Sequence, residues 1–284
     1  MPQIVIRPMT VDDIHIGMSL KRAAGWNQTE ADWKRFVGLQ PDGCFVAELD
    51  GKPVGTVAAF IFGDVAWIAM VLVSPDARGQ GLGTKLMSHA LAFLDSKNVA
   101  CIRLDATPLG QPIYEKLGFK AEYRLNRFEG TLPAISMSAV DPNIIPVTRA
   151  DGLEDVLKLD RTVTGTDRPG LITRLLDDAP GNFFRYGLTS SGGYITYRPG
   201  ENATFLGPCC AVNQQAGAAL LYHVARLNAG ARVFIDVPLD NEPALAVVQA
   251  LGLTPQRPLL RMARGKTVTD FPSCIWATTG PEKG

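Results

Sequence analysis

Residues 71–84 read VLVSPDARGQGLGT, an apolar run entering a turn with glycine at alternate positions, Gly79, Gly81 and Gly83, beside Arg78. Residues 82–97 repeat apolar side chains at helical spacing (Leu82, Leu86, Met87, Ala90, Leu91, Leu94), so the turn opens a helix. The first amides of a helix lack an intrahelical acceptor, and the helix dipole adds about half a positive charge at that end. With no Cβ at the three glycines, an anion can come close to those amides, and Arg78 adds a cation at the rim. The chemistry suggested is the grip of a diphosphate. Downstream, in YEKLGF at 114–119, stands Tyr114. A phenol with its ordinary pKa of about 10 is a proton donor at neutral pH.

Other readings of the turn are open. It could be a plain glycine-rich turn. A dinucleotide fingerprint, G-x-G-x-x-G, would need a third glycine where Thr84 stands, although Asp105 falls where a ribose-binding acid would. A Walker loop ends in Gly-Lys-Ser/Thr, an order that Gly83, Thr84 and Lys85 do not supply.

The elements that must position these residues follow from periodicity and turn chemistry. A strand at 4–7 precedes two helices, each opened by a capping box: Thr10 with Asp13, and Thr29 with Asp32. The loop between them, 25–28, carries Trp26 and Asn27. Strands at 44–49, 53–62 and 65–73 form a meander, with Asp50 and Gly51 as its first turn. Then come helix 82–97, strand 101–106, helix 112–117 and strand 119–128. A meander followed by β-α-β predicts a mixed α/β sheet with helices on both faces, not a purely parallel one. Residues 131–146, with Pro133, Pro142 and Pro146, read as a linker or crossing strand. Beyond it the order repeats: helices at 152–160 and 171–176, strands at 183–188, 193–198 and 203–211, helix 216–228, strand 232–237, helix 243–251 and strand 254–262. The chain is therefore read as two tandem domains, residues 1–130 and 147–284.

The two motifs resemble those of the GNAT superfamily of N-acetyltransferases. Arg78, Gly81 and Gly83 stand at the signature positions of Q/R-x-x-G-x-G/A, and residues 114–119 resemble its second hallmark, Y-x-x-x-G-F. The resemblance covers about residues 4–128. It implies the acyl-CoA N-acyltransferase fold, with acetyl-CoA as co-substrate and no metal. The backbone of Val71, Leu72 and Val73 would run along the pantetheine arm, between two splayed strands. Arg78 and the amides of Gly79, Gln80, Gly81, Leu82, Gly83 and Thr84 would hold the pyrophosphate, and Tyr114 would protonate the departing thiolate. Thr107 stands where many members carry an Asn that contacts the cofactor arm. The loop between the first two helices borders the acceptor in such folds, so Trp26 would be a wall and Asn27 a polar handle. Many members place a basic carboxylate on the strand before the turn. Residues 65–73 have none, and the nearest acids in sequence, Glu48 and Asp64, are not assigned that role.

The second half lacks this chemistry. Its turn region, 207–217, has no Arg-x-x-Gly-x-Gly, and Val248 stands at the position of Tyr114. Residues 275–282, IWATTGPE, resemble the ending of a tandem-GNAT subfamily whose second domain is degenerate, as do Trp26 and Trp33. The expected reaction is transfer of an acetyl or short acyl group to an amine; a second domain over the site would enclose it, so a small-molecule amine is the expected acceptor. A sensor that holds acyl-CoA without turnover, a protein N-acetyltransferase and a nucleotide-dependent oxidoreductase are the rivals.

Composition bounds the rest. Lys plus Arg equal Asp plus Glu at 28 each, which gives no net pull toward nucleic acid or an anionic membrane. The apolar run 65–73 is about half the roughly 20 residues of a spanning helix. No basic-then-apolar leader opens the sequence, so a cytoplasmic protein is expected. Five scattered cysteines read as reduced thiols, and His15, His89 and His223 have no metal-ligand spacing.

Overall fold

Thr29 and Asp32 cap the second helix reciprocally: Thr29 N donates to Asp32 Oδ2 at 2.9 Å, and Asp32 N to Thr29 Oγ1 at 3.4 Å. Thr10 N likewise donates to Asp13 Oδ2 at 2.8 Å. The computed structural model describes residues 3–135, 141–187 and 192–284. Its first half runs β1 (Ile4–Pro8), α1 (Ile14–Ala23), α2 (Glu30–Leu39), β2 (Cys44–Leu49), β3 (Lys52–Phe62), β4 (Val65–Val73), α3 (Leu82–Ser96), β5 (Cys101–Ala106), α4 (Gln111–Lys116) and β6 (Lys120–Thr131). The second runs β7 (Ile144–Pro146), α5 (Leu153–Thr164), α6 (Pro169–Asp178), β8 (Phe183–Tyr186), β9 (Gly193–Arg198), β10 (Thr204–Ala211), α7 (Gln214–Leu227), β11 (Arg232–Pro238), α8 (Glu242–Ala250), β12 (Thr254–Gly265) and β13 (Ile275–Ala277).

The stretch expected as a linker thus ends in β7, an edge strand against β8, while 136–140 lie outside the described residues. So does 188, the last position of the expected strand at 183–188. β13 carries no sequence signal of its own, being three residues long.

The two halves share one sheet, in the order β1-β2-β3-β4-β5-β12-β6-β11-β10-β9-β8-β7, with β13 on β10. The last long strand of each half is exchanged. β12 inserts between β5 and β6, and β6 lies between β12 and β11. Two buried ion pairs cross the exchange. Arg261 of β12 clasps Asp105 of β5 at 2.9 Å through both nitrogens. Arg127 of β6 clasps Asp236 of β11 at 2.7 Å in the same way. Removing one partner of such a pair leaves an unmatched buried charge, at about 3–5 kcal/mol.

One face of the first half's sheet is covered by α3, through Leu86, Met87, Ala90 and Leu94. The other face is covered by α1 and α2, whose Trp33 and Phe36 are wholly buried. There the core continues into Val156, Leu159, Leu171 and Leu175 of α5 and α6. Each such side chain contributes about 1.5–3 kcal/mol by burial, so this common core joins the halves alongside the strand pairing.

Candidate active site

β4 and β5 run parallel but pair only over 65–67 with 101–103. The cause of their parting is local. Met70 takes φ +53°, and the pairing of β3 with β4 shifts between Thr56 and Ala58, the mark of a bulge. Left-handed backbone at a residue with a Cβ costs roughly 1–2 kcal/mol. Thr56 Oγ1 offsets part of this by donating to Met70 O at 2.9 Å inside the core. Past the bulge, Leu72 and Val73 stay paired with β3. The opposite edge of 71–73 has no β5 partner and lines a cleft of about 650 Å3 with Leu104 and Asp105.

At one end of the cleft lies the glycine-rich turn. Gly79 and Gly81 have φ of +77° and +73°, conformations that favour glycine. A Cβ built at Gly79, Gly81 or Gly83 meets no atom within 4 Å, so the space above the turn is open to a bulky anion. The first helical bond of α3 runs from Lys85 N to Gly81 O at 3.0 Å. The amides of Leu82, Gly83 and Thr84 precede it and have no acceptor within the helix. Arg78 Nε donates to Val73 O at 3.3 Å, which holds that side chain at the mouth.

Tyr114, on α4, and Thr107, before it, line the same cleft. The tyrosine ring packs edge-on against Phe119 at 6.2 Å. Burial pushes its phenol up to about 12, so it stays protonated at any physiological pH. Thr107 O accepts from Gly110 N at 2.9 Å and Gln111 N at 3.0 Å, which fixes the start of α4.

Of the residues expected at the site, Val71, Leu72, Val73, Arg78, Gly79, Gly81, Leu82, Gly83, Thr84, Thr107, Tyr114 and Trp26 line this one cleft. Two do not. Gln80 is exposed on the outside of the turn. Asn27 is buried away from the cleft: its Oδ1 accepts from Asn202 N and Ala203 N, and its Nδ2 donates to Ala203 O. Its role is to clamp the loop after β9, because Asn27 has more to gain from three backbone bonds there than from open solvent. Glu48 pairs with Arg7 instead of facing the cleft. Asp105 is occupied by Arg261, which removes it as a free ribose-binding acid.

The far end of the cleft is built by residues that sequence reasoning missed. Gln28 comes from the same loop as Trp26, Arg257 and Leu259 come from β12, and Pro281 and Glu282 come from the segment after β13. Trp67 Nε1 donates to Pro281 O at 3.1 Å. Arg198 and Lys283 donate to Glu282 Oε1 at 3.0 and 2.7 Å, and Gln28 Nε2 to Oε2 at 3.1 Å. Burial alone would raise the Glu282 carboxyl, but Lys283 and Arg198 outweigh it and hold the group below its ordinary range.

In the second half the corresponding gap is filled. β10 and β11 pair over 204–206 with 233–235, and β10 then shifts register, as β4 does. There β13 fills the space: Cys209 and Cys210 pair with Ala277 and Ile275, and Thr278 N donates to Asp236 O at 2.9 Å. Trp276 is buried against Gly217 of α7, where any Cβ would overlap the indole.

The splayed strands, the open glycine turn at a helix start and the facing tyrosine define an acyl-CoA N-acyltransferase fold. The sequence profile of the Acetyltransferase (GNAT) family matches residues 17–119, and that of an Acetyltransferase (GNAT) domain matches 156–276. A glucosamine 6-phosphate N-acetyltransferase of Trypanosoma brucei brucei is 32% identical over 106 residues, covering 35% of this chain and 71% of that one. The holothin acyltransferase of Pseudoalteromonas sp. (strain SANK 73390) is 28% identical over 268 residues, 92% of this chain and 87% of that one. The crystal structure of a protein from Pyrococcus horikoshii assigned to the acetyltransferases superposes with a TM-score of 0.86 at 23% identity, over 99% of this chain and 96% of that one. The chain belongs to the GNAT acetyltransferase family and is a tandem-domain acyltransferase. The family in general uses acetyl-CoA as co-substrate. No helix among the described residues is long and apolar enough to cross a membrane, and none of them form a cluster suited to a metal ion.

Proposed function

We propose that the chain transfers an acetyl or short acyl group from acetyl-CoA to the amine of a small molecule, with the chemistry in the first half, residues 1–130, and a non-catalytic second half, 147–284. The observation that carries this reading is that one cleft holds all the parts: the glycine turn, the free strand edge, the phenol, and a wall supplied by the other half. The amides of Gly79 to Thr84 with Arg78 would grip the pyrophosphate, and the free edge of Val71 to Val73 would hydrogen-bond the pantetheine amides as an added strand does. Tyr114 would donate to sulfur as the C–S bond breaks. The wall that the second half adds to the cleft supports a small acceptor, and the chain is similar over nearly its full length to a holothin acyltransferase.

The acids of the cleft are poor bases. Asp105 is held by Arg261, and Glu282 by Arg198 and Lys283. The amine therefore enters neutral, attacks the carbonyl carbon and releases its proton to water, while the phenol stabilises the thiolate that leaves. The test is a panel of amines with acetyl-CoA, following free thiol. Thiol release that depends on an amine and yields the N-acetyl product supports the proposal. Calorimetric binding of acetyl-CoA with no turnover of any small amine or peptide would replace it with a sensor.

A further inference from the structure

Arg257 lines the cleft and, among the described residues, is in no ion pair. Among the described residues no carboxylate lies within salt-bridge distance of it, and its Nε is buried without a hydrogen-bond partner. The nearby acids are taken, Asp236 by both nitrogens of Arg127 and Glu282 by Arg198 and Lys283. Burial and the neighbouring Arg127 push the guanidinium down to about 10, so it is still charged at neutral pH.

Its side of the sheet is set by register. β12 pairs with β6 without interruption from Arg257 (opposite Arg127) to Arg261 (opposite Tyr123). Residues 257, 259 and 261 therefore share a face. Arg261 sits over the Trp67 ring at 4.7 Å, and Trp67 binds Pro281 O, so this is the face of the closing segment. Leu260 and Met262 point the other way, into the core under α3. Arg257 thus lies across the sheet from the helix whose first turn forms the diphosphate site. Gln28 Oε1 is also buried there without a donor. The far end of the cleft presents an unmatched cation beside an unmatched hydrogen-bond acceptor.

We propose that Arg257 receives an anionic group, carboxylate or phosphate, carried by the acceptor, so that the preferred acceptors are amines bearing a negative charge. A planar guanidinium with free N–H groups takes either anion in bidentate fashion, and the amine of such an acceptor finds Gln28 Oε1 and the Glu282 carboxylate. This rests on the transferase reading above and narrows its substrate class. An unmatched arginine at this position repels polycationic amines.

The test uses the full chain, acetyl-CoA and matched acceptor pairs: α-amino acids against their primary amides, and glucosamine 6-phosphate against glucosamine. The first set detects carboxylate recognition and the second phosphate. The expected result is a kcat/KM at least tenfold higher for the anionic member of one set. Arg257→Met should remove about 10- to 100-fold of that, chiefly through KM, and Arg257→Lys should restore part of it. Melting curves and the acetyl-CoA Kd of each variant report folding and the coenzyme site separately. Neutral members used as well as anionic ones, anionic members never turned over, or a preference that survives Arg257→Met would each overturn the assignment. Failure to bind acetyl-CoA would overturn the transferase reading itself.

Discussion

Replacing Tyr114 by Phe separates chemistry from packing with little structural disturbance. The ring is held by Phe119 and by Gly110, where a Cβ would come within 2.8 Å of it, and Phe keeps both contacts. Burial alone acts on the hydroxyl, which has no hydrogen-bond partner among the described residues, so its loss leaves no protein group unpaired. Stability should be neutral or slightly raised, within about 0.5 kcal/mol, as for changes that break no named interaction. A hydrogen bond to a charged acceptor is worth about 1.5–3 kcal/mol, which at about 1.36 kcal/mol per decade is roughly 10- to 150-fold in rate. Loss of a general acid is usually about 10²–10⁴-fold. The two ranges overlap near 10²-fold, which is the expected fall in kcat at unchanged acetyl-CoA Kd. Steady-state thiol release with calorimetry on the same preparations measures both. The pH profile adds a check: with the phenol at about 12, wild-type kcat should show no descending limb from this group near pH 10. A kcat within threefold of wild type, or a Kd that weakens by the full factor, refutes the assigned role.

Gly81→Val should strain a left-handed turn and place a branched side chain over the anion cradle, weakening acetyl-CoA binding at least tenfold by calorimetry while melting changes little. Asn27→Ala removes three hydrogen bonds that hold the loop after β9, at about 2–3 kcal/mol on a denaturant curve; a change confined to acceptor KM would contradict the clamp role. Gly217→Ala drives a Cβ into Trp276 and should cost about 1–3 kcal/mol or more by overpacking, read as a lower Tm. For Asp32, burial raises the carboxyl but Lys283, Arg198 and Arg35 outweigh it, so its folded pKa is depressed. A depressed carboxyl stabilises above its unfolded value of about 3.9 and loses that contribution as pH falls through the folded one. Asp32→Asn should therefore cost about 3–5 kcal/mol at neutral pH, and urea titrations should show the gap to wild type narrowing below about pH 4.

The glycine-turn end of the cleft was legible in sequence because it is local. One run, 71–84, contains the strand edge, the turn and the helix start, and glycine spacing reports backbone geometry directly. The element order was legible for the same reason, since capping boxes and apolar periods act over a few residues. The wall around Gln28 and Arg257 was not, because it is assembled over long separations: Gln28 meets Glu282, and Arg257 reaches the cleft on a strand exchanged from the other half. The apolar pattern of β12 does not say which half it pairs with, and here it inserts between β5 and β6. Asn27 was misplaced because an exposed-looking loop residue turned out to bind Ala203, far along the chain. The bulge at Met70 is invisible too, because methionine carries no preference for positive φ.

The exchanged strand makes one cleft out of both halves of the chain. Residues 71–114 supply its glycine turn, free strand edge and tyrosine, while Arg257, Leu259, Pro281 and Glu282 come from the other half. Under the proposed function, substitutions in the second half would retune the choice of acceptor without touching the coenzyme site. On that reading, a duplicated domain serves as the adjustable component of its twin.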